Sequence, residues 1–90
     1  MSEVSVTGGD DGRYHVRVLG PEGRTTHTVR VPPGMAAGLG WPDAEVAELV
    51  HESFLFLLRR EPQRSILASF SLDVIGRYFP DFPDALSRRE

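Results

Sequence analysis

The 90-residue chain has no cysteine, no lysine and no asparagine. Without cysteine there is no disulfide framework, thiolate zinc site, iron–sulfur cluster or thiol nucleophile, and a reducing cytoplasm is the expected setting. All ten basic residues are arginine. Lysine and asparagine both use A-rich codons, so a GC-rich bacterial genome is the simplest source of that bias. Long hydrophobic runs are also missing. The longest uninterrupted one, Phe54 to Leu58, falls far short of the roughly 20 residues that cross a bilayer. The opening segment MSEVSVTGGDDG carries neither a basic leader nor an apolar stretch, so neither secretion nor membrane insertion is expected. A cationic surplus is absent too. The formal charge of −3 argues against bulk affinity for nucleic acid or anionic lipid, which needs excess positive charge. The glycines at 8, 9 and 12 and at 34, 38 and 40 match neither a phosphate-cradling loop nor a dinucleotide fingerprint, and are read as turns.

What is present suffices for one small domain. An apolar fraction of 40% can supply a modest core without a metal, although 90 residues leave little room for a deep cleft. Residues 1–12 are read as a flexible leader or an edge strand, because Val4 and Val6 alternate with polar residues before GGDDG breaks the pattern. Residues 13–90 are read as a single domain, with a hairpin over 13–31, a connector over 32–41 and a helical part over 42–86.

The hairpin follows from alternation on either side of the turn sequence Gly20-Pro21-Glu22-Gly23. Its register can also be predicted. If Leu19 faces Arg24, then Val18 opposes Thr25, Val16 opposes His27 and Tyr14 opposes Val29, and the apolar side chains of both strands share a face. A slip of one residue would put them on opposite faces, so burial of a single face selects this pairing. His15, Arg17, Thr26, Thr28 and Arg30 then point to water. In the connector, prolines and glycines are expected to prevent regular structure, with Met35, Leu39 and Trp41 as apolar anchors.

The main helix is predicted from about Pro42 to Arg60. Proline suits the first helical position, and Asp43 and Glu45 complement the positive end of the dipole as Arg59 and Arg60 do the negative end. Val46, Val50, Phe54, Leu57 and Leu58 mark one face, while the run from Phe54 to Leu58 is apolar all round. Such a helix must be covered on more than one side, by the rest of the chain or by a second copy. Pro62 is expected to open a short helix over 62–69, Ser71 to cap a third over 72–79 that Pro80 stops, and Pro83 to open a last turn through Leu86. The predicted class is therefore α+β: an N-terminal antiparallel hairpin or three-stranded meander, then one long helix and two to three short ones.

The strings SFLFLLRREP, SIL and RYFPDF, within Ser53 to Phe82, resemble a family of small uncharacterised bacterial proteins with a short β-rich N-terminal part. The family pattern ends in a proline, an acidic residue and an aromatic, which Pro80, Asp81 and Phe82 match. Thr25, His27 and Val29 of the hairpin are also similar. The motifs are mostly apolar, so the resemblance implies a shared fold and carries no activity.

Chemistry-bearing residues are sparse. His27, on the predicted inner face, is read as a packed core histidine, and His15 and His51 as surface residues. Glu48 and His51 form one Glu-x-x-His step, where a di-iron site needs two such steps and further glutamates. Ser53, Ser65, Ser69 and Ser71 lack a nucleophile elbow. No catalytic residue, metal site or cofactor is therefore assigned, and the chain is not read as an enzyme. Two binding readings remain. Trp41, Phe54, Phe56, Phe79 and Phe82 are candidates for a protein-binding or self-association surface, since so much apolar area strains what a small monomer can cover. Arg13, Arg17, Arg24 and Arg30, with His15, form a basic strip on the hairpin. The segment from Ser65 to Phe79 superficially suggests a helix-turn-helix, although its second helix offers only Asp73 and Arg77 to base edges. The leading expectation is a non-catalytic protein-interaction or regulatory module in a bacterial cytoplasm. A nucleic-acid-binding regulator, antitoxin-like by fold analogy, comes second, and a small metal-dependent or hydrolytic enzyme third.

Overall fold

The computed structural model describes residues 2–8 and 11–88. Three strands, β1 (Glu3–Gly8), β2 (Arg13–Gly20) and β3 (Gly23–Arg30), form an antiparallel meander. A one-turn helix α1 (Met35–Gly38) leads through a 3₁₀ turn at Asp43–Glu45 into the long helix α2 (Val46–Arg60). The chain then returns to the sheet as β4 (Ser69–Ser71) and finishes with α3 (Ile75–Tyr78) and α4 (Phe82–Leu86). The sheet order is β1-β2-β3-β4, so the fold is α+β with a four-stranded sheet and a helical layer. No helix among the described residues is long and apolar enough to cross a membrane.

The hairpin register is the one the alternation dictates: Leu19 pairs with Arg24, Val18 with Thr25, Val16 with His27 and Tyr14 with Val29. Val16, Val18, His27 and Val29 are buried on the inner face, while His15, Arg17, Thr26 and Arg30 are exposed on the outer one. Residues 3–8 of the predicted leader are an edge strand. Met1, Gly9 and Asp10 of that leader, like Arg89 and Glu90 at the other end, lie outside the described residues.

Helix α2 explains why Phe54 to Leu58 is apolar all round. Phe54 faces the sheet, with its ring 5.3 Å from His27 and 6.0 Å from Phe70. Phe56 faces the other way, edge-on to Phe79 at 5.9 Å and Phe82 at 5.3 Å. The helix is a beam with an aromatic cluster on either side, both drawn from this chain. The RYFPDF string is the second cluster's clasp. Phe82 is buried against Phe56, Asp81 accepts a 2.6 Å ion-pair hydrogen bond from Arg60, and that guanidinium lies 3.7 Å over the Phe56 ring.

Three local expectations are corrected. The predicted helix over 62–69 is a single 3₁₀ turn at Gln63–Ser65, after which Ile66 is already extended. Ile66 and Phe70 are weaker helix formers and stand among three serines, and the open edge of β3 offers the backbone here a better partner. Thr28 N–H donates to the Ala68 carbonyl at 2.8 Å, and β4 pairs in parallel, with Val29 beside Phe70. Ser71 does stand before a helical turn, yet its hydroxyl donates to the Asp73 carboxylate and not to a backbone acceptor, and it caps no N–H. The connector, finally, is not irregular throughout. Gly34 takes a positive φ of 83° and launches α1, which buries Ala36.

Candidate functional site

With all helices on the inner side, the outer side of the sheet is left open. Its residues fall into cross-strand rows fixed by the pairing. Glu3, Leu19 and Arg24 form one row, and Ser5, Arg17 and Thr26 the next. Thr7, His15, Thr28 and Ser69 follow, then Arg13, Arg30 and Ser71. Period-two alternation alone delivers all four predicted arginines and His15 to this face. Ser5 and Thr7 of β1, which nothing in the basic strip announced, join them and add hydroxyls. Ser5, Thr7, His15, Arg17, Thr26 and Thr28 line a shallow depression of about 430 Å³ at its centre.

The electrostatics are unbalanced. Ion pairs among the described residues are His51–Glu52, Arg60–Asp81 and Arg88–Glu45, and none involves Arg13, Arg17, Arg24 or Arg30. Arg13 and Arg30 stand directly opposite each other across β2 and β3. Like charges in that position destabilise a sheet. Glu3 is the single carboxylate in the four rows, and its row neighbour is Leu19. The face can therefore accept anions: guanidinium forks supply paired donors, and the serine and threonine hydroxyls between them supply more.

The predicted apolar surface is placed elsewhere. Trp41, Phe54, Phe56 and Phe82 are buried and Phe79 is half-buried, all within the core of this one chain. Trp41 Nε1–H donates to the Leu86 carbonyl at 2.6 Å, and Arg88 lies 4.5 Å over the indole while pairing with Glu45, so the tail is latched to the connector. The apolar area that sequence assigned to a partner is covered internally. Among the described residues the large apolar side chains that are exposed are Leu19, Leu67 and Tyr78, the last two beside a notch of about 180 Å³ between the end of α2 and α3.

The remaining candidates are structural. His27 is buried with both ring nitrogens engaged. Its Nδ1 must donate to the Leu67 carbonyl at 2.7 Å, which leaves Nε2 to accept from the Thr25 hydroxyl at 2.9 Å. Gln63, the chain's one glutamine, was missed. It is buried under the hairpin turn, and its Nε2 approaches the Val18 carbonyl at 3.2 Å, the Gly23 carbonyl at 3.1 Å and Thr25 Oγ1 at 2.9 Å. Nothing in a Pro-Gln-Arg string signals a buried amide. Ser53 is buried and returns its hydroxyl to the Leu49 carbonyl one turn back. Among the described residues no group of three or more histidine or acidic side chains is placed to hold a metal ion. The segment from Ser65 to Phe79 is no helix-turn-helix, in keeping with the few polar side chains its second helix offers: Ser69–Ser71 is a strand, and α3 is a single turn with Ile75 buried.

Comparison with protein-family models, curated proteins and solved structures finds no match for the chain.

Proposed function

We propose that this chain is a non-catalytic interaction module of a bacterial cytoplasm, and that the outer face of its sheet docks an acidic surface of a protein partner. The observation that carries the reading is the opposed pair Arg13 and Arg30 on an uncovered face, with Arg17 and Arg24 equally unpaired among the described residues. A fold gains nothing from holding like charges together, whereas a planar guanidinium pair matches carboxylates well. A protein partner is favoured over nucleic acid on two grounds. Among the described outer-face residues the rows contain no Phe, Tyr or Trp on which bases could stack, and the chain's formal charge of −3 opposes approach to a polyanion.

The test is fluorescence anisotropy of the full chain against a labelled oligoglutamate peptide and against single-stranded and duplex oligonucleotides, across a salt series. The acidic peptide should bind, and Arg17→Ala combined with Arg30→Ala should weaken it about tenfold, the loss of two solvent-exposed ion pairs at up to about 1 kcal/mol each. Steeply salt-dependent oligonucleotide binding that the same substitutions remove would transfer the face to the nucleic-acid reading. Binding of neither probe would refute a docking role.

A further inference from the structure

Strand β1 is the longer of the sheet's two edges. It pairs with β2 over six unbroken residues, Glu3 to Gly8, with no bulge, proline, lysine or inward-pointing charge. Native edges usually carry at least one such device, because a free row of N–H and C=O groups recruits another strand. Val4 and Val6 on the inner face are only half-buried, so that side of the core is incompletely covered where the sheet ends.

We infer that β1 is a homodimer interface in which the β1 strands of two copies pair antiparallel about a two-fold axis through Ser5. The register follows from face parity. Directly opposed residues in an antiparallel pair share a face, so the two residue numbers must sum to an even value. Centring on Ser5 or on Val6 would each pair five residues of the strand, and Ser5 is selected because it sets both valines opposite a valine, whereas Val6 would set Val4 opposite Gly8, whose φ is 103°. Ser5 then meets its own copy, Val4 meets Val6, and Glu3 meets Thr7. Valines of both copies join into one inner stripe. On the outer side, each Glu3, which has no ion partner among the described residues, comes beside the partner's row that leads from Thr7 to His15, and diagonal to the row of Arg17. The one negative group of the face thus lies on the same side as the arginines of the other copy, with that copy's Arg17 in the adjacent row. The contact is isologous and closes at two subunits, giving a continuous eight-stranded sheet and joining two arginine faces into one. It does not depend on what those faces dock.

The absence of native cysteine makes the register directly testable. In this pairing Ser5→Cys places two thiols on the two-fold axis, with Cα atoms about 4.5–5.5 Å apart, within disulfide range. Mild oxidation should convert Ser5→Cys to a covalent dimer, while Thr26→Cys, on the same face but two strands inward, should stay monomeric. In sedimentation equilibrium the unaltered chain should dimerise. Ser5→Asp should raise its dissociation constant about fivefold through the opposed carboxylates, and an equimolar mixture of Ser5→Asp with Ser5→Lys should recover the dimer. Circular dichroism is the check that each variant folds. A chain that remains monomeric at hundreds of micromolar, or Ser5→Cys that crosslinks no faster than Thr26→Cys, overturns the inference and leaves the docking role of the outer face untouched.

Discussion

Gln63 offers the sharpest test of how the hairpin is tied to the helical layer. The amide is buried at 4% exposure, and its Nε2 serves the Val18 and Gly23 carbonyls and Thr25 Oγ1. Thr25 Oγ1 is hydrogen-bonded in turn to His27 Nε2, and His27 Nδ1 donates to the Leu67 carbonyl, so one chain of hydrogen bonds runs from the 3₁₀ turn through β3 to the segment before β4. Gln63→Leu keeps most of the volume and deletes the donor. The buried Val18 carbonyl then loses a partner at about 1–3 kcal/mol, and the Gly23 carbonyl, on an exposed residue that water can reach, loses less. Part of that is recovered, because the Oε1 atom that is replaced is itself buried without a hydrogen bond, and a leucine adds apolar burial. The expected net loss is about 1–3 kcal/mol, a fall in Tm of about 5–20 °C for a domain of this size.

Gln63→Glu separates donation from space filling. It places a carboxylate oxygen where Nε2 meets three acceptors, and burying an unpaired charge costs more than losing a hydrogen bond. At neutral pH the loss should exceed that of Gln63→Leu and approach the whole stability, about 5–13 kcal/mol for 90 residues. The sign of the pH dependence is also fixed. Burial among acceptors raises the introduced carboxyl's folded pKa above its unfolded value of about 4.3, so the penalty is present at high pH and is relieved as pH falls and the group becomes a donor. Urea unfolding at pH 7 and pH 5 with an unchanged m-value is the assay. If both variants unfold within about 0.5 kcal/mol of the parent, the amide is not the tie proposed here.

Two further substitutions probe close packing. Trp41→Phe keeps an aromatic ring in the core but removes the Nε1–H bond to the Leu86 carbonyl. A loss of about 1–2 kcal/mol in thermal unfolding is expected, with amide exchange in α4 rising first; equal protection in both proteins would contradict the latch. Gly20→Ala puts a Cβ 2.6 Å from Gln63 Oε1 and 2.9 Å from Ser2 Oγ, whereas at Gly76 the nearest atom is Pro83 Cγ at 3.9 Å. The first should destabilise by about 1–3 kcal/mol by displacing the buried amide, and the second, in α3, should stabilise by about 0.5–1 kcal/mol. Urea midpoints moving in the same direction would refute the contrast.

The parts of the fold legible in sequence are those governed by local periodicity. Alternation and single-face burial fix β2 and β3 residue by residue, and with them the whole arginine strip, because a one-residue slip would bury Arg17 and expose Val16. Asp43, Arg59 and Arg60 mark the ends of the main helix for equally local reasons. What was not legible depends on distant partners. The three residues of β4 are a strand only because β3 offers an edge some forty residues earlier, and serine-rich sequence does not announce that. The all-round apolar run at Phe54 to Leu58 correctly demanded two coverings, but sequence could not say that both came from the same chain. Gln63 was invisible because its acceptors, the Val18 and Gly23 carbonyls, belong to a hairpin end that forms elsewhere.

The two sides of the sheet obey different demands. On the inner side of β2, β3 and β4 alternation, burial and hydrogen bonding agree: Val16, Val18 and Val29 are buried, Thr25 and His27 are satisfied, and Phe70 meets Phe54. On the outer side, folding needs only side chains that tolerate water, and threonine at 26 and 28 meets that need. Arg13 opposite Arg30 works against the fold, since like charges opposed across strands cost a few tenths to about 1 kcal/mol. A residue that opposes folding needs a reason outside folding. Replacing Arg30 with threonine should therefore leave the chain as stable as before or slightly more so while weakening its hold on an acidic partner. The loss of binding is what separates a docking face from a merely solvated one, for which charge removal would relieve the same repulsion and leave the response to an acidic peptide unchanged.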